Sequence, residues 1–343
     1  MKRNGSEHGH NGLILALGAL AVMIGTFAIM PKSVASPEKS IVVSVGTEPS
    51  AQLVYGAFWI AEAKGYFRQY GIKIQTHTYS SGPQADLDLA HGHIDMAQAA
   101  LLPHLQAFAG GIPMKLVVSL TKGNTTLVAA KGITKVDQLN GKRVGSPGLG
   151  TIHDTALSLI AKEHHIHITH VPAPITDLPV LLKKGDISAF IGWETVAAHA
   201  VLTVPGAHYL IRQPFPNNEN LELAVSDKFI KEHPEATQHI VDGIVKAMKF
   251  ISACTPEAKA MLANMINVPD AKKVVETAWP QIDITKPNLN VKSSVMWIRG
   301  DVDKGKLTAP LAKRNPRAFL ESASDMRFLK KAEAQAIPVP HCD

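Results

Sequence analysis

The chain has 343 residues, of which 45% are hydrophobic, and its formal net charge at pH 7 is +6. This length and apolar content can supply cores for two lobes of ordinary size, and they exclude a disordered or low-complexity protein. The positive charge is mild and is not arranged as an arginine-rich stripe with interleaved aromatic residues. We therefore expect no nucleic-acid partner.

The first 36 residues have the composition of an export signal. Lys2 and Arg3 precede an apolar run over residues 12–30, and small residues follow at Ser33 and Ala35, as at a cleavage site. An uncleaved membrane anchor is the alternative, because the run is intermediate in length between a signal peptide and a transmembrane span. Either alternative predicts that the rest of the chain works in the periplasm or on the extracytoplasmic face of the membrane.

From residue 39 onward, short β-rich runs alternate with helical runs, a pattern typical of α/β layers around a largely parallel sheet. The pattern predicts a strand and polar turn over residues 41–50, a helix over 51–71 that stops at Gly71, a strand over 72–80, a helix over 82–92, a strand over 93–100, a helix over 103–111, and extended runs over 114–120 and 125–132. We expect these elements to form one lobe.

A second series of the same kind begins near Gly132. It contains a strand and small-residue loop within 141–150, a helix from Thr151 to about His164, a strand over 168–174, a helix over 176–185, a strand over 187–193, a helix over 194–202 and a short strand over 208–211. An extended run over 221–226 follows, and the rest of the chain is predicted to be helical with breaks.

The order of these elements predicts two lobes. We expect the first lobe to comprise residues 37–127 and 225–343, including a helical C-terminal region, and the second to comprise residues 128–224. Crossings near 125–132 and 220–226 would then form a two-stranded hinge. Cys254 and Cys342 are the two cysteines of the chain, and the sequence leaves open whether they form a disulfide or remain as free thiols.

Several stretches carry a further signal through their order and spacing. They are "GAFWIAEAKGYFRQYGIKI", "LAHGHIDMAQAA", "VDQLNGKRVGSPGLGTIHD", "KKGDISAFIGWE" and "VSDKFIKEHPEATQHIVDGIVKAMKFI". Together, over roughly residues 41–265, they resemble the extracytoplasmic substrate-binding proteins of ABC importers of the nitrate, sulfonate, taurine, bicarbonate and thiamin-pyrimidine type.

The resemblance implies an α/β protein with a type II periplasmic-binding-protein fold, in which two βα lobes joined by a two-stranded hinge close around a ligand. It also implies that a small anionic or zwitterionic solute is captured and delivered to a membrane permease by a monomer, without catalysis and without a cofactor. The alternatives are binding of a thiamin-pyrimidine precursor, a synthase-like enzyme on the same fold, and the ligand-binding component of a sensor.

The loop "GSPGLG" before Thr151 is the first candidate binding segment. Helix N-termini carry unpaired N–H groups and partial positive charge, so they bind anions. Gly148 and Gly150 would let the backbone approach a ligand, and Thr151 would cap the helix or donate its hydroxyl to the ligand. His153 would point toward the same cleft, and its protonation would strengthen anion binding as the pH falls.

Other candidates follow strand ends that would face the cleft. They are Thr47, Glu48, Ser50, Gln52, Ser81, Gly82, Ala99, Ala100 and Thr126. Trp193 offers a flat apolar wall with one N–H, and Glu194 beside it would favour a solute that carries a donor or a cation. The alternative for this pair is that Trp193 packs in the core and Glu194 opens the next helix.

The run "EHHIHITH", which includes His164 to His170, is rich in imidazole groups that zinc or nickel prefers. No nearby cysteine or regularly spaced acid completes a coordination set, so we expect no metal site, although the sequence leaves the binding capacity of this run open.

Overall fold

The computed structural model describes residues 40–342. The predicted export signal or anchor lies outside the described residues. The strands are β1 Ile41–Thr47, β2 Ile72–Thr78, β3 Met96–Ala100, β4 Met114–Gly123, β5 Thr126–Ala129, β6 Arg143–Ser146, β7 Thr169–Pro172, β8 Ala189–Gly192, β9 His208–Ile211, β10 Glu219–Ser226 and β11 Ile282–Asp283.

The α-helices alternate with the strands in the first two thirds of the chain and dominate the last third. They are α1 Gly56–Ala63, α2 Gly82–Ala90, α3 Leu101–Ala109, α4 Ile152–Glu163, α5 Leu178–Lys184, α6 Val196–Thr203, α7 Asp227–Glu232, α8 Pro234–Ala253, α9 Thr255–Met265, α10 Ala271–Ala278, α11 Val291–Asp303, α12 Pro310–Arg314, α13 Pro316–Ser322 and α14 Arg327–Ala334. Within residues 40–342, none of these helices combines the length and the apolar character that a membrane crossing demands.

The strands form two sheets, as expected for an α/β protein with two βα layers. The first sheet has the order β11-β4-β10-β3-β1-β2, and the second has the order β7-β6-β8-β5-β9. In the first sheet β1 runs parallel to β2 and β3, and in the second β6 runs parallel to β7 and β8. The carboxyl ends of these six strands are therefore the places where loops can gather around a ligand.

Two predictions about the elements are wrong. Strand β5 was expected in the first lobe, but it pairs with β8 and β9 in the second sheet. The chain consequently crosses between the sheets at residues 124–125 and 212–218, slightly before the predicted positions. In the C-terminal region, β11 lies within one of the predicted breaks between helices and pairs antiparallel with β4.

The predicted helix over 51–71 is also shorter than expected. Helix α1 ends at Ala63, and Gly65 follows with a left-handed φ of 72°, which glycine adopts without steric cost. A short 3-10 turn, Arg68–Tyr70, then ends at Gly71, whose φ of 70° turns the chain into β2. Two glycines therefore divide the apolar pattern that the sequence presents as one helix.

The long amphipathic helix α8 packs against α1, α9 and α14, and its buried face includes Ile240, Ile244 and Phe250. Cys254, at the end of α8, forms a disulfide with Cys342 across 88 positions of sequence. The cysteine alternatives that the sequence leaves open are thus resolved in favour of a bridge, which attaches the end of the chain to the helical region.

Candidate functional site

A cavity of about 50 Å³ lies at the carboxyl ends of the parallel strands of both sheets. The first sheet supplies Glu48, Ala51, Val54, Tyr55, Ser80, Ser81, Gly82, Pro83, Ala100, Pro103 and Leu221; the second supplies Pro147, Thr151, Ile152, His153, Pro174, Ile175 and Trp193. Every parallel strand of the two sheets therefore contributes a following loop to the wall.

Glu48 is the ionisable acid on the first-sheet wall. It follows β1 and is 8% exposed. Burial raises the pKa of Glu48 to about 8, against the opposing effect of a hydrogen bond from the backbone of Gly82; the nearby Asp86 carboxylate raises it further. At neutral pH the Glu48 carboxyl is therefore mostly protonated, and it can donate one hydrogen bond as well as accept others.

A buried polar layer lies behind this wall. Tyr55 donates its hydroxyl proton to the carbonyl of Gln98 at 3.2 Å, and Thr47 donates to the side-chain oxygen of Gln98 at 2.8 Å. Both carboxyl oxygens of Glu222 are buried, and burial raises the pKa of Glu222 well above its usual value, with the neighbouring Glu219 adding to the shift.

The start of α4 forms part of the opposite wall. The Thr151 side chain accepts the N–H of Asp154 at 3.2 Å and donates to the carbonyl of Gly148 at 2.9 Å. The Asp154 carboxylate in turn accepts the N–H of Gly150 at 3.0 Å and pairs with Lys304 at 2.7 Å. The Thr151 hydroxyl thus caps the N-terminus of α4. The Asp154 carboxylate already lies beside the positive end of this helix.

His153 and Trp193 provide two unpartnered polar atoms on this wall. Their rings lie 5.5 Å apart, and His153 Nε2 and Trp193 Nε1 are both buried without a hydrogen-bond partner. Burial lowers the pKa of His153 to about 4, despite an opposing hydrogen bond to the backbone of Asn124. His153 is therefore neutral in the folded chain until the pH falls to about 4, and its neutral Nε2 is a hydrogen-bond acceptor.

The structure brings together half of the predicted binding residues on the cavity wall. These are Glu48, Ser81, Gly82, Ala100, Thr151, His153 and Trp193. The other seven do not line the cavity: Thr47, Ser50, Gln52, Ala99, Thr126, Gly150 and Glu194. Among these, Ala99 lies directly under Gly82, where a side chain on the glycine would collide with it.

Glu194 has a role in the structure of α6. Its carboxylate accepts the N–H of Ala198 at 3.0 Å and the hydroxyl of Tyr209 at 3.1 Å, while burial raises its pKa to about 8. The alternative in which Glu194 opens the next helix thus describes the structure, and Glu194 does not line the cavity. Glu48 is the acid that lines the cavity.

Sequence reasoning missed eleven of the eighteen residues that line the cavity, and Tyr55 and Leu221 are two of them. Tyr55 lies in the turn before α1, within the segment that the sequence presents as continuous helix, and Leu221 lies on β10. The prolines of the second-sheet loops, Pro147 and Pro174, were visible as loop signals, but their position on the wall depends on the pairing of β6 with β7.

The histidine-rich run does not gather around one point. His164 pairs with Asp137 at 3.1 Å, whereas His170 pairs with Asp154 at 3.5 Å and also contacts the Ser146 hydroxyl. His165 and His167 are exposed. Within the described residues, the histidines of this run do not bring three ligand atoms close enough together for a metal site.

Two mixed sheets, whose parallel strands share a cavity at their carboxyl ends, define the class of the fold, which is that of the periplasmic binding proteins. The structure is similar to the alkanesulfonate-binding protein SsuA from Xanthomonas axonopodis pv. citri bound to MOPS, with a TM-score of 0.68, 17% identity, and coverage of 84% of this chain and 99% of that chain. It is also similar to the periplasmic nitrate-binding protein NrtA from Synechocystis PCC 6803, with a TM-score of 0.71, 14% identity, and coverage of 88% and 90%.

The family follows from the sequence comparison. The model of the family described as NMT1/THI5 like matches residues 53–258, and the chain belongs to this family. A curated relative, 4-amino-5-hydroxymethyl-2-methylpyrimidine phosphate synthase THI13 of Saccharomyces cerevisiae, is 25% identical over 219 residues, which cover 57% of this chain and 62% of the relative. The resemblance inferred from the sequence, and the fold it implied, are confirmed.

Proposed function

We propose that this protein is the solute-binding component of an ABC importer, and that it holds a small anionic or zwitterionic solute between its two sheets for delivery to a membrane permease. The similar solved structures include ligand-binding components of such importers, which supports the transport assignment. We further propose that the chain is exported by its N-terminal segment, acts as a monomer, and performs no catalysis.

The observation that carries the proposal is the pair of unsatisfied polar atoms on the cavity wall. His153 Nε2 can accept a hydrogen bond and Trp193 Nε1 can donate one, yet neither has a partner among residues 40–342. A buried polar group without a partner costs about 1–3 kcal/mol, so a ligand that satisfies both atoms recovers this free energy on binding. Such an arrangement favours a ligand that carries both a donor and an acceptor.

The charges around the cavity narrow the solute class. The lining residues from the described part of the chain include Glu48 and no lysine or arginine. A bare inorganic anion would therefore enter a cavity whose lining offers it no cationic side chain. A zwitterion avoids this difficulty, because its amino group can face Glu48 and His153 while its anionic group accepts from Trp193 and the first N–H groups of α4. Taurine and related amino-sulfonates have this chemistry.

Binding of an aminopyrimidine is the second candidate. The yeast relative is named as an aminopyrimidine phosphate synthase. The flat Trp193 ring and the donor–acceptor set of Glu48 and His153 suit an aromatic ring that carries an exocyclic amine and ring nitrogens. A synthase-like enzyme and a sensory role remain alternatives for this chain, and each predicts a different consequence of ligand binding.

A thermal-shift screen tests these proposals. The panel contains taurine, alkane sulfonates, nitrate, bicarbonate with and without calcium, and aminopyrimidines. A ligand that binds only the folded chain stabilises it by about 2.7 kcal/mol at one hundred times its dissociation constant. We expect taurine or an aminopyrimidine to raise the melting temperature, and we expect small-angle scattering to show a more compact chain with that ligand.

Matched variants identify the site. Trp193→Phe keeps an aromatic ring on the cavity wall but removes the indole donor, so it should weaken binding at least tenfold. Trp59→Phe is the control, because Trp59 also has a buried Nε1 without a partner but does not line the cavity. Equal affinity of both variants would contradict the assigned site. The absence of any shift across the panel, from folded protein, would contradict the proposed solute class.

Conversion of a bound aminopyrimidine into another compound, followed by mass spectrometry, would overturn the assignment as a pure binding protein. The expected result is recovery of the unchanged ligand after prolonged incubation with the protein.

A further inference from the structure

A cluster of three metal-ligating side chains lies at the end of α2, away from the cavity. Asp88 is in the last turn of that helix, and His91 and His93 follow it within the sequence "DLAHGH". One ligand atom from each of the three side chains lies within 4.8 Å of the others. The other such group in the described residues contains Cys254 and Cys342, whose sulfur atoms are bonded to each other and cannot act as thiolates.

The backbone fixes the relative positions of these three residues. The N–H of His93 donates to the carbonyl of Asp88 at 3.0 Å, and the N–H of Gly92 donates to the carbonyl of Leu89 at 3.1 Å. These two bonds form a Schellman motif, which requires the left-handed φ of 72° at Gly92. The chain therefore turns back on the helix end, so that His93 returns beside Asp88.

The distances suit a small divalent cation. His93 Nδ1 and Asp88 Oδ1 are 3.4 Å apart. In a tetrahedral site with bonds of about 2.0–2.1 Å, neighbouring ligand atoms are about 3.3–3.4 Å apart. The two atoms are thus already at the separation that they would have on a zinc ion. Side-chain rotation of the exposed His91 can supply the third ligand.

Two features outside the three ligands support cation binding. Tyr79, which follows β2, donates its hydroxyl proton to Asp88 Oδ2 at 2.7 Å and so orients the carboxylate, with Oδ1 directed toward His93. Hydrogen bonds of this kind to ligating carboxylates raise metal affinity. The site also lies at the carboxyl end of α2, where the helix dipole stabilises positive charge.

We propose that Asp88, His91 and His93 form a binding site for a first-row transition-metal ion of the zinc type, with water completing the coordination. Two imidazoles and one carboxylate are ligands that zinc, nickel and copper accept, and magnesium or calcium prefer oxygen ligands alone. Because α2 spans about 13 Å between its two ends, the metal site is separate from the solute cavity, which contacts the other end at Gly82.

Isothermal titration calorimetry of the chain with zinc chloride tests this site. The protein must be prepared without a polyhistidine tag, because the tag would itself bind zinc. We expect one equivalent of zinc per chain, and we expect His91→Ala and His93→Ala each to weaken binding at least tenfold. The matched control is the double variant His165→Ala, His167→Ala, which removes two exposed histidines of the histidine-rich run.

A variant at Tyr79, which contacts the ligand Asp88, distinguishes a preorganised metal site from two histidines that lie near each other by chance. Tyr79→Phe retains the ring and removes only the hydroxyl that orients Asp88, and it should weaken zinc binding about tenfold. The absorption spectrum of the cobalt-substituted chain should have the intense visible bands of tetrahedral coordination and should lose them in His93→Ala.

Three results would overturn the proposal. The first is the lack of measurable zinc binding by the unmodified chain. The second is loss of binding in the His165, His167 control with retention in His91→Ala and His93→Ala. The third is unchanged zinc affinity in both single variants. Circular dichroism of each variant confirms that a loss of binding does not reflect unfolding.

Discussion

The substitution Glu48→Gln removes the ionisable group of the cavity acid and keeps the size of its side chain. Burial raises the pKa of Glu48 from 4.5 to about 8, so the folded chain retains a proton that the unfolded chain releases above pH 4.5. Raising the pH through this window therefore favours the unfolded state, and the stability contribution of the retained proton is present below pH 4.5 and is lost as the pH approaches 8. Glutamine keeps the size of the side chain and does not titrate.

The magnitude follows from the shift in pKa. Each pKa unit corresponds to about 1.36 kcal/mol, so the full shift represents about 5 kcal/mol, of which about 3.5 kcal/mol is expressed between about pH 5 and pH 8. His153, whose pKa is lowered to about 4 by burial, acts in the opposite direction, because its neutral folded form loses stability as the pH falls below 6.5. This contribution and those of the other buried acids cancel in the difference between the unfolding free energies of Glu48→Gln and the unmodified chain at each pH.

Urea unfolding, followed by tryptophan fluorescence, is the assay. As the pH rises from about 5 to 8, we expect the unfolding free energy of Glu48→Gln to increase by about 3.5 kcal/mol relative to that of the unmodified chain. Glu163→Gln, at an exposed position of α4, is the control. Its unfolding free energy should differ from that of the unmodified chain by an amount that changes little with pH. If the difference between Glu48→Gln and the unmodified chain stays constant within about 0.5 kcal/mol across this range, the reasoning about the buried carboxyl is refuted.

Three further substitutions test the framework around the cavity. Replacing Cys254 and Cys342 by serine removes a bridge that spans 88 positions, and chain entropy predicts a loss of roughly 4–5 kcal/mol, measured by the urea midpoint; a loss under about 1 kcal/mol would contradict this. Gly243→Ala would place a Cβ 2.7 Å from the Phe67 ring, so the melting temperature should fall by an amount equivalent to about 1–3 kcal/mol, and an unchanged value would be evidence against this packing. Lys122→Met leaves the buried Glu219 without the ammonium group 2.8 Å away and should cost about 3–5 kcal/mol in urea unfolding, whereas an equally stable variant would exclude a stabilising role for the pair.

The boundaries of several elements could be predicted because local chemistry sets them. Thr151 was expected to cap a helix, and its side chain accepts the N–H of Asp154 at the start of α4. Gly92 and Gly185 were expected to end helices, and both adopt left-handed φ values that terminate α2 and α5. In each case the signal lies within a few residues of the structure that it determines.

The sequence by itself determined the alternation of strands and helices, the family and the type of fold, because periodicity and turn chemistry are local and the order of the motifs is visible along the chain. Only the tertiary structure decided that β5 joins the second sheet, since strand pairing links residues far apart in sequence. It likewise decided that Glu48 lines the cavity while Glu194 braces α6. Both acids follow a strand and precede a helix, so local sequence cannot distinguish them; the packing of the two sheets determines which carboxyl group faces the cavity.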